Sequence, residues 1–271
     1  MRAAVVGHIE WMEFVPVEEA PRAGEIVHAD DSWEEAAGGG SVAAVQLLKL
    51  ADSVDFFTAL GNDERGDRAR AELTERGITV HATPVDLPQR RGFTFVDEAG
   101  ERTITTIGRK LHPRGHDDTL PWHELAKCDC VYVCAGDADA VLLARRARVV
   151  VATARELATL RQASVELDAL VSSGKDDAER YHTGQIDPEP RLVVTTSGAL
   201  GGWAQPGGPY NAAPLPPNPE DAYGAGDCFA AGLSFALAAG LEGLDALEFA
   251  SRCGAGALAG RGVHAEAVPL P

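Results

Sequence analysis

Three short stretches, "RAAVVG" (2–7), "CVYVCAG" (130–136) and "ARVVVAT" (147–153), are apolar at nearly every position instead of every second one, and "RLVVTTSG" (191–198) is a further β-branched run. A strand that is apolar on both faces has to be covered on both faces, which is the situation of a parallel sheet held between helices. "SVDFFTALG" (53–61) has the same character. Helical patterns alternate with these runs. "SVAAVQLLKLA" (41–51) has few polar positions and is read as buried, whereas "DERGDRARAELTERG" (63–77) is amphipathic, exposed and closed by Gly77. The alternation predicts an α/β protein around a mostly parallel sheet. A chain of 271 residues with 45 % hydrophobic composition can build one large core of this kind, with a small appended domain.

Two segments break the rhythm. "GFTFVDEAGERTITTIG" (92–108) holds two period-2 runs around "DEAG", a hairpin pattern with Gly100 free to take a positive φ. Residues 12–33 are extended and interrupted by proline. Together they predict a small β-sheet lid, formed by 12–33 and 89–110, over a cleft in a core formed by 1–11, 34–88 and 111–271. The Pro- and Gly-rich stretch 201–224 reads as a surface linker. Cys128, Cys130 and Cys134 share one parity, which puts them on one face of a strand as buried thiols, and no CxxC pair occurs.

Charge narrows the function. With 24 Lys+Arg against 41 Asp+Glu the net charge is −17, which excludes a general nucleic-acid binder. No run approaches 18 apolar residues and "MRAAVVGHIE" lacks the apolar stretch of a signal peptide, so a soluble cytoplasmic protein with no membrane partner is expected.

The chemistry is concentrated in "EDAYGAGDCFAAG" (220–232). A Gly-x-Gly turn running into a helix presents N–H groups that have no intrahelical partner, at the positive end of the helix dipole, and such a place binds phosphate. Asp227 in the same turn is a proton acceptor within reach of whatever the turn binds. No Gly-x4-Gly-Lys-Ser/Thr loop is present, and "GGGS" (38–41) lacks the spacing of a dinucleotide fingerprint.

Asp221, Gly224, Ala225, Gly226, Asp227, Phe229 and Gly232 match, in order, the second signature of the ribokinase-like (PfkB) carbohydrate kinases, with Ala222 in place of the usual Thr. The resemblance extends over almost the whole chain. Pro21, Gly24 and Glu25 resemble the family's first lid strand, the glycines at 38–39 its Gly-Gly signature, 61–66 its Gly-x-Asp-x-x-Gly, and Thr196, Gly198 and Gly201 its nucleotide loop. This resemblance implies a Rossmann-like three-layer core with a β-sheet lid, and transfer of the γ-phosphoryl group of ATP, with Mg²⁺, to an alcohol. Asp227 is then the expected general base, and the turn Gly224, Ala225, Gly226 the expected anion hole. Thr196, Gly198 and Gly201 are expected to bind ATP. In this family the lid sheet often forms a dimer interface, so a homodimer through the lid is an expectation as well.

The sequence departs from the family where sugar hydroxyls are usually bound. The polar positions after the first strand hold Glu10 and Met12, and a later Asn position holds Ala43. Glu10, Trp11 and Glu13 are the replacement candidates, with Gly39 and Gly40 also at the substrate. The family's Asn-x-x-Glu, which holds Mg²⁺ through water, is represented by Ser173 and Asp176, with Asp177 and Glu179 as alternatives. The stretch 89–110 carries five basic residues (Arg90, Arg91, Arg102, Arg109, Lys110) against three acids. With Arg155 it suits an anionic substrate such as a sugar acid or sugar phosphate. A nucleoside kinase, with Trp11, Trp33 or Phe14 stacking the base, and a weakly catalytic regulatory relative remain as alternatives.

Overall fold

The computed structural model describes residues 1–264. In chain order the elements are β1 (Arg2–Val6), β2 (Glu10–Pro16), β3 (Trp33–Ala37), α1 (Gly39–Leu48), β4 (Ser53–Gly61), α2 (Glu64–Glu75), β5 (Thr79–Val85), β6 (Arg91–Val96), β7 (Arg102–Ile107), β8 (Cys130–Val133), α3 (Ala138–Ala144), β9 (Val149–Thr153), α4 (Leu157–Ala163), β10 (Ala169–Ser173), β11 (Val193–Thr196), β12 (Gly202–Gln205), β13 (Gly208–Tyr210), α5 (Ala225–Ala238) and α6 (Gly243–Gly256).

Nine strands form the main sheet in the order β13-β12-β11-β10-β9-β8-β1-β4-β5, and all neighbours from β11 to β5 run parallel. The doubly apolar strands explain the three layers. Ala3, Val5, Cys130 and Tyr132 pack with α1, α5 and α6, while Ala4, Val6, Val131 and Val133 pack with α3 and α4 on the other face. The chain leaves β1 towards β4 on one side and later returns to β8 on the other, so the strand order reverses beside β1. In open parallel sheets the crevice at the carboxyl ends of the strands on either side of such a reversal is where ligands bind.

The second sheet has four strands in the order β3-β2-β6-β7, with β2 and β3 antiparallel, β2 and β6 parallel, and β6 and β7 antiparallel. The hairpin β6–β7 turns at Gly100, whose φ is +74°.

Several expectations need correction. Only the ends of 12–33 are strand. Pro21, Gly24 and Glu25 lie in irregular chain, as do most residues of the exposed run 25–33. The supposed linker begins with the antiparallel hairpin β12–β13, which extends the main sheet through β11. Its strands are too short and too glycine-rich to show a period. Cys128 precedes β8 and is buried in the α3/α4 layer, whereas Cys130 and Cys134 are in the opposite layer, so the three thiols do not share a face. No helix among the described residues is long and apolar enough to cross a membrane.

Candidate active site

Two helix N-termini, those of α1 and α5, meet at the carboxyl ends of β1 and β8. Helix α5 starts where it does because Gly224 adopts φ +74°, and a Cβ there would sit 2.5 Å from Val42 Cγ1, so only glycine fits. Asp227 falls in the first turn of α5. Its carboxylate lies on the start of α1, where a Cβ on Gly39 would come within 2.8 Å of Oδ1. The Tyr132 hydroxyl, rising from β8, donates to the same Oδ1 at 3.1 Å. Burial pushes the Asp227 carboxyl above the usual carboxylate range, opposed by the charge of Arg155, by the Tyr132 hydrogen bond and by Arg102 and Lys110.

The turn does not offer every N–H expected of it. Ala225 N–H donates to the Ala222 carbonyl at 3.3 Å, so it is not a free donor. The N–H groups of Gly226 and Asp227 have no protein partner among the described residues and, together with the helix dipole, make the anion-attracting end. Beside them is a cavity of about 320 Å³, lined by Ala225 and Gly226, by Thr196, Gly198 and Gly201 of the β11–β12 connection, and by Gly100 of the lid hairpin. The residues expected at a nucleotide therefore share one cavity with the start of α5. Gly201, at φ +86°, lies where a Cβ would be 2.1 Å from the Tyr210 carbonyl oxygen. Lys175, which the sequence did not single out, also faces this cavity.

A group of charged side chains lies near enough to Asp227 for their charges to act on one another. Glu10 is buried and ion-paired with Arg90, Nε to Oε1 at 2.9 Å, and His8 Nε2 is 3.8 Å from the same oxygen. Burial pushes Glu10 up, with Arg90 opposing, and burial together with Lys110 and Arg90 holds His8 well below its ordinary range. Arg155 pairs with Glu179 at 2.5 Å and with Asp176 at 3.3 Å. Of these acids Glu179 is the buried one, with its side chain 10 % exposed against 42 % for Asp176, and burial raises its pKa despite Arg155. Lys110 pairs with Glu156 at 2.6 Å. Arg102 and Arg109 are exposed and pair with no acid among the described residues, but the charge of Arg102 is felt at Asp227 and Asp221.

Other candidates are placed elsewhere. Gly40 is closely packed, where a Cβ would meet the His8 carbonyl oxygen at 2.5 Å and Phe56 Cζ at 2.6 Å. Met12 is fully buried, in the space that a Cβ on Gly92 would need. Trp11 is buried beneath the Arg68 guanidinium, 4.4 Å from the ring centroid. Trp33 is stacked on Phe14 at 5.0 Å. These three rings are engaged in packing and are not free to stack a base. Sequence reasoning missed Tyr132 and the pairing of Arg90 with Glu10, because each becomes a site feature only through a partner distant in the chain, and it missed His8, which burial and the charges of Lys110 and Arg90 set apart.

Comparison with known proteins shows the family and the fold. The model of the pfkB family carbohydrate kinases matches residues 2–177 and 134–269. An ATP-dependent ribose-1-phosphate kinase of Halopiger xanaduensis is 26 % identical over 276 residues, covering 94 % of this chain and 91 % of that protein. A ribokinase of Dictyostelium discoideum is 28 % identical over 106 residues, a match that spans 38 % of this chain and only 33 % of that protein. Among solved structures, a ribokinase from Thermotoga maritima superposes with a TM-score of 0.74 at 20 % identity, covering 96 % of this chain and 94 % of that one, and shares the fold.

Proposed function

The chain belongs to the pfkB family of carbohydrate kinases, and from that premise we propose that it transfers the γ-phosphoryl group of ATP to a hydroxyl of a sugar derivative that carries an anionic group. The observation that carries this reading is the Asp227 carboxylate, lodged between Gly39 and Tyr132 beside the unpartnered N–H groups of Gly226 and its own backbone.

In the proposed step Asp227 accepts the proton of the attacking hydroxyl as its oxygen bonds to the γ-phosphorus. The bond between that phosphorus and the bridging oxygen breaks, and ADP leaves. A carboxyl raised by burial is better matched to this task than an ordinary one, because its pKa lies nearer the working pH. The N–H groups of Gly226 and Asp227 are aimed where charge develops on the transferred phosphoryl oxygens. The cavity lined by Thr196, Gly198, Gly201 and Ala225 accommodates the nucleotide, with Lys175 at its wall.

Asp176 and Glu179 share a single guanidinium, an excess of negative charge at a buried carboxylate that fits a divalent cation held through water. When bound, Mg²⁺ supplies charge neutralisation across the phosphates. On the acceptor side, Arg102 and Arg109 have no carboxylate partners among the described residues and can recognise an anionic substituent. The full-length relative that acts on ribose 1-phosphate supports an acceptor of this kind.

The test is ATP consumption with Mg²⁺ against neutral sugars, sugar acids, sugar phosphates and nucleosides, with Asp227→Asn beside the wild type. Turnover with an anionic sugar that falls about 10²–10⁴-fold in the variant is expected. Wild-type turnover by Asp227→Asn would overturn the assignment of the base, and turnover confined to neutral sugars or nucleosides would overturn the acceptor class.

A further inference from the structure

We infer that Tyr132 is a positioning residue for the Asp227 carboxylate, holding Oδ1 against the start of α1 so that Oδ2 is the oxygen offered to the acceptor hydroxyl. This inference rests on the reading of Asp227 as the base.

Tyr132 sits within β8, paired in register with Val5 of β1 on one side and Val151 of β9 on the other. Both ladders are parallel and interior, so the backbone that carries the ring has no freedom to follow a moving carboxylate. The side chain is 1 % exposed and belongs to the apolar layer of α1, α5 and α6. A phenylalanine would satisfy that packing. The hydroxyl adds one interaction, the 3.1 Å hydrogen bond to Asp227 Oδ1, across 95 residues of chain.

Oδ1 is also the oxygen nearest the missing Cβ of Gly39, at 2.8 Å, with Oδ2 further away at 3.2 Å. The β8 ring thus holds one carboxylate oxygen by a hydrogen bond, and the same oxygen faces the start of α1 at a point where only a glycine leaves it room. A phenol that donates to a carboxylate favours its ionised form and counters burial, so the hydroxyl keeps the base competent as well as aimed.

Other groups bear on the same carboxylate. They are Arg155 after β9, Arg102 and Lys110 from the lid and its exit, Glu10 on β2, Glu179 after β10, Cys134 after β8, and Tyr223 and Cys228 flanking the α5 start. None of them is altered by removing one phenolic oxygen, so a comparison of wild type with Tyr132→Phe isolates that bond.

The experiment is the pH profile of kcat and kcat/KM for Tyr132→Phe, for Asp227→Asn and for the double variant, with thermal melts to check folding. The expected result for Tyr132→Phe is a several-fold loss in kcat on the plateau, about tenfold on the acid side, and an acid limb moved to higher pH, with KM for ATP unchanged. In the Asp227→Asn background the second substitution should have no further effect. An acid limb that stays in place with kcat within twofold of wild type would reduce Tyr132 to a packing residue and overturn the inference. Should Asp227→Asn itself retain activity, the underlying assignment fails instead, and the two failures are told apart. If Tyr132→Phe does not fold, 3-fluorotyrosine placed at position 132 keeps the ring and makes the hydroxyl a stronger donor. The acid limb should then move to lower pH, and an unmoved limb would overturn the inference equally.

Discussion

Replacing Gly39 by alanine should damage catalysis and spare the fold. The added Cβ would sit 2.8 Å from Asp227 Oδ1 and 3.2 Å from Cγ, against ordinary contacts of 3.4–4 Å. The carboxylate must therefore retreat from α1 by roughly half an ångström, which disturbs the geometry of its hydrogen bond from Tyr132. A displacement of about 1 Å at a reacting group costs about 10²-fold, so a loss of roughly 10-fold or more in kcat is expected. Stability should move little or rise. Gly39 is not in the left-handed region, it opens α1, and alanine is the better helix former by about 1 kcal/mol. The atom displaced is the end of a side chain, which can turn aside. Gly40→Ala is the control, because its Cβ would strike the His8 carbonyl at 2.5 Å and the Phe56 ring at 2.6 Å. Neither can turn aside, so this variant should lose about 1–3 kcal/mol of stability. Steady-state ATP consumption and thermal melts on the two variants decide the matter. Gly39→Ala with kcat within twofold of wild type and an unchanged melt would refute the claim that the carboxylate is held against α1.

Asp227→Asn should melt higher than wild type at pH 7–8. The folded carboxyl binds its proton more tightly than the unfolded one, so wild-type stability falls as pH rises from the ordinary carboxylate range through the raised folded value. The advantage of the amide should shrink as pH is lowered through that window, and a variant less stable than wild type at pH 8 would contradict the burial argument. Arg109→Ala should raise KM for the anionic acceptor about tenfold while leaving KM for ATP unchanged, as measured by varying each substrate in turn. Equal effects on both, or none, would remove Arg109 from the acceptor site.

What could be read before any coordinates was local. The doubly apolar runs at 2–7, 53–61, 130–136 and 147–153 report burial on two faces, and a buried parallel sheet follows from that alone. The "DEAG" turn with Gly100, and the Gly224–Asp227 turn ahead of a helix, are demands of a few consecutive residues on backbone conformation, and the structure meets both. Where the periodicity was short or interrupted, the pattern misled. The strands β12 and β13 hide among glycines and prolines, and β5 and β10 went unremarked.

Which side chain meets which was decided by tertiary structure. Tyr132 is 95 residues from Asp227, Glu10 meets Arg90 from the neighbouring lid strand's approach, and Arg155 finds Glu179 across β9 and β10. Those partnerships turned two expected substrate residues, Glu10 and Arg155, into members of buried or half-buried ion pairs, and drew Met12 and Trp11 into packing. A sequence specifies the residue types and the local turns that can make a phosphate-binding helix start with a carboxylate in it. The reversal of strand order beside β1 decides which distant side chains converge there. Burial and charge pairing at that convergence set the protonation of each group, and neither is a property of any short stretch of chain.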